Sequence, residues 1–128
     1  MRILLDTCTF LWLTIGKDEL SPNAIDAFSD PQNEVYLSAV SAWEINVKYR
    51  LGKLPLPLPP DKFIPKERKR HLVTSLELTE PDTLHLCKLP VPHNDPFDRM
   101  LVCQSIEHSL TILTPDPLIS QYPVRCLW

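Results

Sequence analysis

Short apolar runs alternate with longer amphipathic stretches along the chain, which predicts strands that alternate with helices. Residues 2–5 form a short, mostly apolar run typical of a buried strand, and a helix over 7–15, ended by Gly16, follows it. Further strands are predicted over 35–38, 72–78, 111–113 and 124–127, and further helices over 22–28, 41–51, 61–71, 81–89, 96–108 and 115–122. This alternation predicts an α/β fold, a three-layer α/β/α sandwich with a short, mostly parallel central sheet.

Composition narrows the class of protein. A chain of 128 residues with 44% hydrophobic content predicts one domain over 1–128. A net charge of −3 is not typical of a nucleic-acid-binding protein. It does not exclude one, because cations bound at an acidic site reverse the sign of the charge locally. The four cysteines form no CxxC pair, which favours free thiols. Because no apolar run is long enough for a signal or a span, we expect a cytoplasmic protein away from the membrane.

Two stretches stand apart in the middle of the chain. Residues 54–60 read LPLPLPP, which can neither continue a helix nor enter a central strand, so an extended connector is predicted. The predicted helix after it is polar and carries a run of basic side chains. A solvated face and a phosphate-binding patch both explain this run. Its members are Lys62, Lys66, Arg68, Lys69 and Arg70.

Residues 93–101 have the form of a helix start. Asp95 suits the N-cap, and Pro96 suits the first helical position, where a missing N–H costs nothing. Asp98 then falls in the first turn, on the row continued by Val102 and Ile106, which should face the core. A carboxylate there needs a partner, which is either the helix N-terminus alone or a metal ion shared with other acids.

Other acids take comparable places at strand ends and helix starts. Each one alone is explained by capping, and Glu44 can complete a capping box with Ser41. Capping explains the whole set less well, because the carboxyl ends of parallel strands lie along one edge of the sheet. Like charges gathered at that edge would raise one another's pKa values. Mg²⁺ or Mn²⁺ would remove that conflict. The converging set is Asp6, Glu44, Asp95, Asp98 and Asp116.

Four motifs resemble those of the PIN-domain ribonucleases and, more narrowly, of the VapC-type toxins of bacterial type II toxin–antitoxin pairs. They are ILLDT (3–7), SAWEI (41–45) with LGKL (51–54), HNDPFDR (93–99) and LTPD (113–116) with Tyr122. Their order is the family's, and they span nearly the whole chain. The resemblance implies an α/β/α sandwich, a Mg²⁺- or Mn²⁺-dependent endoribonuclease, a homodimer, and neutralisation by a cognate antitoxin whose tail occupies the site.

The resemblance also assigns roles by motif. The catalytic and metal-binding acids would be Asp6, Glu44, Asp98 and Asp116, with Asp95 as an additional acid. The expected reaction is RNA phosphodiester hydrolysis by metal-activated water, which needs no histidine or cysteine nucleophile. Two positions depart from the family's pattern: Cys8 stands where many relatives have histidine, and Pro117 follows the last acid.

Four neighbouring residues are candidates for supporting or substrate-binding roles. Thr7 and Thr114 are candidate hydrogen-bond donors to the acids, although a hydroxyl beside a helix start is usually a cap. His93 could contact phosphate, and Arg99 could pair with an acid or with a phosphate.

Two other functional classes share part of this pattern. A phosphoryl-transfer enzyme of the haloacid-dehalogenase kind is disfavoured, because that family has a second aspartate at the position that Cys8 occupies here. The remaining alternative is a catalytically idle PIN-like module that acts only through antitoxin or RNA binding. Apolar faces around Phe10, Trp12, Trp43 and Phe63 suit either the core or such an interface.

Overall fold

A parallel sheet lies at the centre of the computed structural model, which describes residues 1–16 and 19–128. Its strands are β1 (Arg2–Leu5), β2 (Glu34–Ser38), β3 (Thr74–Leu76), β4 (Thr111–Leu113) and β5 (Arg125–Leu127). They are arranged in the order β3-β2-β1-β4-β5, and every neighbouring pair is parallel. Strand β1 is therefore central, with Ile3 opposite Val35 of β2 and Thr111 of β4.

Helices cover both faces of this sheet, so the predicted α/β/α fold is confirmed. Strand β1 shows why two layers are needed, because its side chains alternate between the faces. Ile3 and Leu5 belong to one buried cluster with Phe10, whereas Leu4 belongs to the other with Leu101. The helices are α1 (Thr7–Ile15), α2 (Pro22–Ser29), α3 (Ala39–Arg50), α4 (Pro60–Arg70), α5 (Glu80–Leu84) and α6 (Pro96–His108).

Four predicted elements match the structure without change: β1, α1, α6 and β4. In α1 the boundary signals act as expected: the carboxylate of Asp6 accepts the Thr9 amide, and Gly16 takes a left-handed conformation with φ 85°. In α6 the carboxylate of Asp95 accepts the amide of Asp98, with Pro96 at the first helical position. Local capping chemistry therefore sets these ends.

The predicted capping box at Ser41 is wrong. Strand β2 leads directly into α3, and the hydroxyl of Ser38 accepts the Val40 amide, so Ser38 is the N-cap. The helix thus begins before Ser41, and Glu44 lies beyond its first turn. The carboxylate of Glu44 is therefore free of any capping duty and is available for contacts between elements.

The predicted helix over 115–122 is also wrong. Pro115 and Pro117 supply no amide hydrogens, and the side chain of Asp116 accepts the Leu118 amide instead of joining a helical turn. Regular structure is limited to a 3₁₀ turn at Ile119–Gln121. Asp116 consequently sits in a loop.

Two further predicted elements are shorter than expected. The strand over 72–78 is reduced to β3, because Leu72 takes a left-handed conformation (φ 57°) at the end of α4. The helix over 81–89 covers only α5 and then tightens into a 3₁₀ turn at His85–Lys88, ahead of Pro90. None of the described helices has the length and apolar character needed to cross a bilayer.

Candidate active site

The candidate site lies at the carboxyl edge of the sheet, beside the point where the strand order reverses. The chain runs outward from β1 through β2 to β3 and then returns to β4 on the other side of β1. In open parallel sheets a crevice forms outside such a switch point. Asp6 follows β1, and Thr114 follows β4, so both flank this crevice. Helices α3 and α6 also begin at this edge, since α3 follows β2 directly and α6 leads into β4.

Asp6 is held in place by two donors. One carboxylate oxygen accepts the Thr9 amide at 2.7 Å, and the other accepts the Thr114 hydroxyl at 2.5 Å. Burial raises the pKa of Asp6 in spite of these bonds, and the negative charge of Asp116 raises it further. The hydroxyl of Thr114 also accepts the backbone amide of Asp116 at 3.1 Å. Thr114 therefore contacts an acid, as predicted. It also connects the segment after β1 with the segment after β4.

Glu44 is buried on the inner side of α3, with 4% of its surface exposed. The hydroxyl of Thr7 lies 2.7 Å from Oε1 of Glu44 and 2.9 Å from the hydroxyl of Ser41, so the predicted contact of Thr7 with an acid is present. Nζ of Lys48 lies 2.5 Å from Oε2 of Glu44. Both carboxylate oxygens thus have partners.

Lys48 is a site residue that the sequence interpretation missed. Burial lowers its pKa, but the hydrogen bond and the charge of Glu44 outweigh burial and raise it, so the ammonium group is charged. The charge of Asp95 also acts on Lys48. The signal that could have found it is the spacing of four residues between Glu44 and Lys48 on a helix, which places opposite charges side by side.

Asp98 is the most perturbed acid of the group. Burial, followed by the negative charge of Asp95, raises the pKa of Asp98 to about 6, and the charges of Glu44 and Asp116 act in the same direction. A contact with Nε2 of His93 at 3.2 Å lowers it in part. The mutual influence shows that these carboxylates lie within electrostatic reach of one another.

His93 and Arg99 have protein partners instead of open positions. Nδ1 of His93 lies 2.8 Å from the Tyr122 hydroxyl, and its Nε2 faces Asp98. Nη1 of Arg99 donates to the carbonyl of Pro90 at 2.9 Å and to the Tyr122 hydroxyl at 3.0 Å. Among residues 1–16 and 19–128, Arg99 makes no salt bridge to an acid. Tyr122 joins the site as a residue whose role the sequence did not define.

The remaining positions complete the rim. Asp95 caps α6, and Asp116 is partly buried with its side chain on the Leu118 amide. Part of Cys8 is exposed, but burial, followed by the charge of Asp6, raises the pKa of Cys8 to about 11. Its thiol therefore stays protonated near neutral pH, which makes it a poor nucleophile.

The donor set suits a hard divalent cation in its chemistry. Carboxylates that raise one another's pKa values are relieved by added positive charge, and Mg²⁺ needs only one or two carboxylates because it retains several waters. Among residues 1–16 and 19–128, no three His, Cys, Asp or Glu side chains form a ready-made metal cluster. The residues thus fit a divalent cation by their negative charge and by their oxygen ligands.

Comparison with known proteins identifies the family. The family model described as "PIN domain" matches residues 3–124. The chain belongs to the PIN-domain family. This confirms the resemblance inferred from the four motifs.

The PIN domain is also similar to Ribonuclease VapC16 of Mycobacterium tuberculosis (strain ATCC 25618 / H37Rv), with 43% identity over 56 residues, which are 44% of this chain and 40% of the relative. The match therefore spans about two fifths of that relative's length.

Solved structures share the fold along almost the whole PIN domain. VapBC2 from Rickettsia felis, bound to a DNA fragment from its promoter, gives a TM-score of 0.73 at 13% identity, covering 99% of this chain and 98% of the other. VapBC-1 from nontypeable Haemophilus influenzae gives 0.64 at 15% identity, covering 99% and 97%. FitAcB from Neisseria gonorrhoeae gives 0.64 at 21% identity, covering 98% and 96%.

Proposed function

We propose that this PIN domain is a divalent-metal-dependent endoribonuclease and the toxin component of a type II toxin–antitoxin pair. The observation that carries the proposal is the group of under-neutralised carboxylates at the switch in strand order, where burial and neighbouring acids raise the pKa of Asp98 to about 6. The similarity to a protein named a ribonuclease supports the same reading.

Asp6, Asp98 and Asp116 would hold Mg²⁺ or Mn²⁺, with Glu44 completing the site. When bound, the ion supplies Lewis-acid stabilisation of the phosphate and lowers the pKa of attacking water. The chain's own residues hold the acids in position. Thr9 and Thr114 fix Asp6, Thr7 and Lys48 fix Glu44, and His93 contacts Asp98.

Trp43 would bind a nucleobase of the RNA beside the acids. It is next to Glu44 in α3, exposes 58% of its surface, and packs edge-on against Phe97, the neighbour of Asp98, at 4.9 Å between ring centroids. A cavity of about 320 Å³ that Asn94 also lines opens beside it. Exposed aromatic rings bind single-stranded nucleic acid by stacking. Phe10 and Phe63, in contrast, are buried in the core.

The partners follow from the same proposal. The similar solved structures are named VapBC and FitAcB or FitAB assemblies, which supports a cognate antitoxin as partner. RNA as substrate, a homodimer and a cytoplasmic location belong to the proposal as well. The basic face of α4, where Lys62, Lys66 and Lys69 are exposed, remains a candidate phosphate contact.

A nuclease assay tests the activity. We expect the purified protein to cleave RNA with Mg²⁺ or Mn²⁺ and to stop when EDTA is added. Asp98→Asn should reduce cleavage at least about 100-fold, because even the loss of residues that only support a metal ligand costs about 10–100-fold. Asp26→Asn is the control, since Asp26 is also a helical aspartate but is exposed on α2, away from the acids and from the basic face of α4.

Two results would contradict the proposal. An Asp98→Asn protein that cleaves like the wild type would refute the assignment of the acids. A wild-type protein that binds RNA or an antitoxin but cleaves nothing would favour the alternative, a catalytically idle binding module.

A further inference from the structure

The Tyr122 hydroxyl lies at the centre of a polar contact network next to Asp98. Its oxygen lies 2.8 Å from Nδ1 of His93, 3.0 Å from Nη1 of Arg99 and 3.3 Å from the carbonyl oxygen of His93. The ring of Tyr122 also packs edge-on against His93 at 5.4 Å and under the Arg99 guanidinium at 5.8 Å. Only 3% of the Tyr122 surface is exposed.

The hydrogens of this network can be assigned from donor and acceptor types. Arg99 has only donors, so the tyrosine oxygen accepts from it. An ionised carboxylate only accepts, so Nε2 of His93 must carry the hydrogen that faces Asp98. Nδ1 then faces the Tyr122 hydroxyl, which donates to Nδ1 when the imidazole is neutral and to the His93 carbonyl when both ring nitrogens carry hydrogen. The tyrosine therefore fixes the orientation in which the imidazole donates to Asp98.

Space filling alone does not require this hydroxyl. Tyr122 belongs to the buried cluster that includes Leu101 and Ile119, where a phenylalanine ring would occupy the same place. The hydroxyl instead joins side chains from two other segments, the loop before α6 and α6 itself. Its partner His93 exposes only 11% of its side chain, so water has little access to replace the bond.

We propose that Tyr122 is a positioning residue for Asp98, acting through His93, with Arg99 holding the tyrosine hydroxyl in place. The inference rests on the metal site of the proposed function and adds residues that act on a proposed metal ligand through hydrogen bonds. Partners that orient metal ligands commonly change metal affinity 10–100-fold when removed.

Mn²⁺ affinity, measured by calorimetry without RNA, tests the proposal in four proteins: wild type, Tyr122→Phe, His93→Gln and the double variant. We expect Tyr122→Phe to weaken Mn²⁺ binding about 10-fold. We expect no further loss when Tyr122→Phe is added to His93→Gln, because the tyrosine then has no imidazole through which to act. Thermal unfolding verifies that each protein is folded.

Tyr36→Phe is the matched control, because the Tyr36 hydroxyl also bonds a charged side chain, Glu34 at 3.1 Å. Glu34 is exposed at the start of β2, the end of the strand that lies away from the candidate site. Tyr36→Phe should leave Mn²⁺ affinity unchanged. If Tyr122→Phe does not fold, Arg99→Met replaces it. We expect Arg99→Met to weaken Mn²⁺ binding by a smaller factor, and to cause no further loss of Mn²⁺ affinity when it is added to His93→Gln.

The proposal is overturned if Tyr122→Phe binds Mn²⁺ like the wild type, if the losses of the two single variants multiply, or if the wild type binds no Mn²⁺. Because RNA is absent, the result is separate from the ribonuclease proposal. A protein that cleaves no RNA but follows the expected pattern of Mn²⁺ affinities retains the positioning role and loses only the proposed activity.

Discussion

Two aspartates at the same helical position have opposite electrostatic surroundings. Asp82 is the third residue of α5, after the cap Thr79, and Asp98 is the third residue of α6, after the cap Asp95. In both helices a proline lies in the first two positions. By sequence alone both acids look like members of ordinary helix starts.

The carboxylate of Asp82 is well supplied with hydrogen-bond partners. Its carboxylate accepts the Thr79 amide at 2.9 Å, faces Nε2 of His108 at 3.0 Å and accepts the side-chain amide of Gln104 at 3.4 Å. No part of Asp82 is exposed. Burial opposes its ionisation, but these donors outweigh burial and lower the pKa of Asp82 below its ordinary value. This carboxylate is a structural anchor.

Asp98 has the opposite balance. Its cap is an acid instead of a threonine, and Glu44 and Asp116 add further negative charge. Burial, the largest cause, and these charges together outweigh the one imidazole contact, so the pKa of Asp98 is raised to about 6. The fold therefore provides donors for one acid and leaves the other short of positive charge, which distinguishes a structural anchor from a candidate cation ligand.

The largest expected effect is on stability, from removing the anchor. Asp82→Ala should lower the free energy of unfolding by about 3 kcal/mol, because it removes a capping contact and leaves the Thr79 amide and the buried Gln104 amide short of acceptors. Asp98→Ala should cost less than about 1 kcal/mol, since relieved repulsion offsets the lost contact. Urea denaturation in EDTA measures both. Equal losses would erase the distinction.

Divalent cations should stabilise the protein through one of these acids and not through the other. At a Mn²⁺ concentration about 100 times its dissociation constant, the wild type should gain about 2.7 kcal/mol in stability. Asp98→Asn should lose most of this gain, whereas a folded Asp82 variant should keep it. Thermal unfolding with and without Mn²⁺, at matched ionic strength, is the measurement. A gain that survives Asp98→Asn would place the ion elsewhere.

Sequence patterns predicted the parallel α/β fold and the ends of α1 and α6, because the period of apolar residues and the capping signals are local. They failed at Glu44, where the start of α3 depends on how β2 ends, and at Asp116, where two prolines and a side-chain bond prevent a helix. Lys48 and Tyr122 were undefined because their roles depend on contacts between elements.

A smaller effect is expected when pH is lowered in the absence of metal. The folded protein binds a proton at Asp98 near pH 6, whereas the unfolded chain binds it near the ordinary value of 3.8, so stability rises as pH falls from 7 to 5. Asp82 contributes the opposite sign: its stabilisation is present above 3.8 and is lost as pH falls further.

The Asp98→Asn variant isolates the first of these effects. It should lack a gain on the order of 1 kcal/mol that the wild type shows between pH 7 and pH 5, after allowance for the partial exposure of Asp98. Urea denaturation in EDTA at both pH values gives the difference. Parallel pH profiles for the two proteins would show that Asp98 titrates normally.

The smallest change in stability is expected from making the two helix starts alike. Asp95→Thr keeps a side-chain cap and removes the charge that, after burial, does most to raise the pKa of Asp98. The pKa of Asp98 should fall, while the free energy of unfolding changes by less than about 0.5 kcal/mol, because weaker capping offsets relieved repulsion. Thr79→Asp makes the reverse change and should raise the pKa of Asp82. Carboxyl NMR titrations report both values, and pKa values that do not move would show that burial alone separates the two acids.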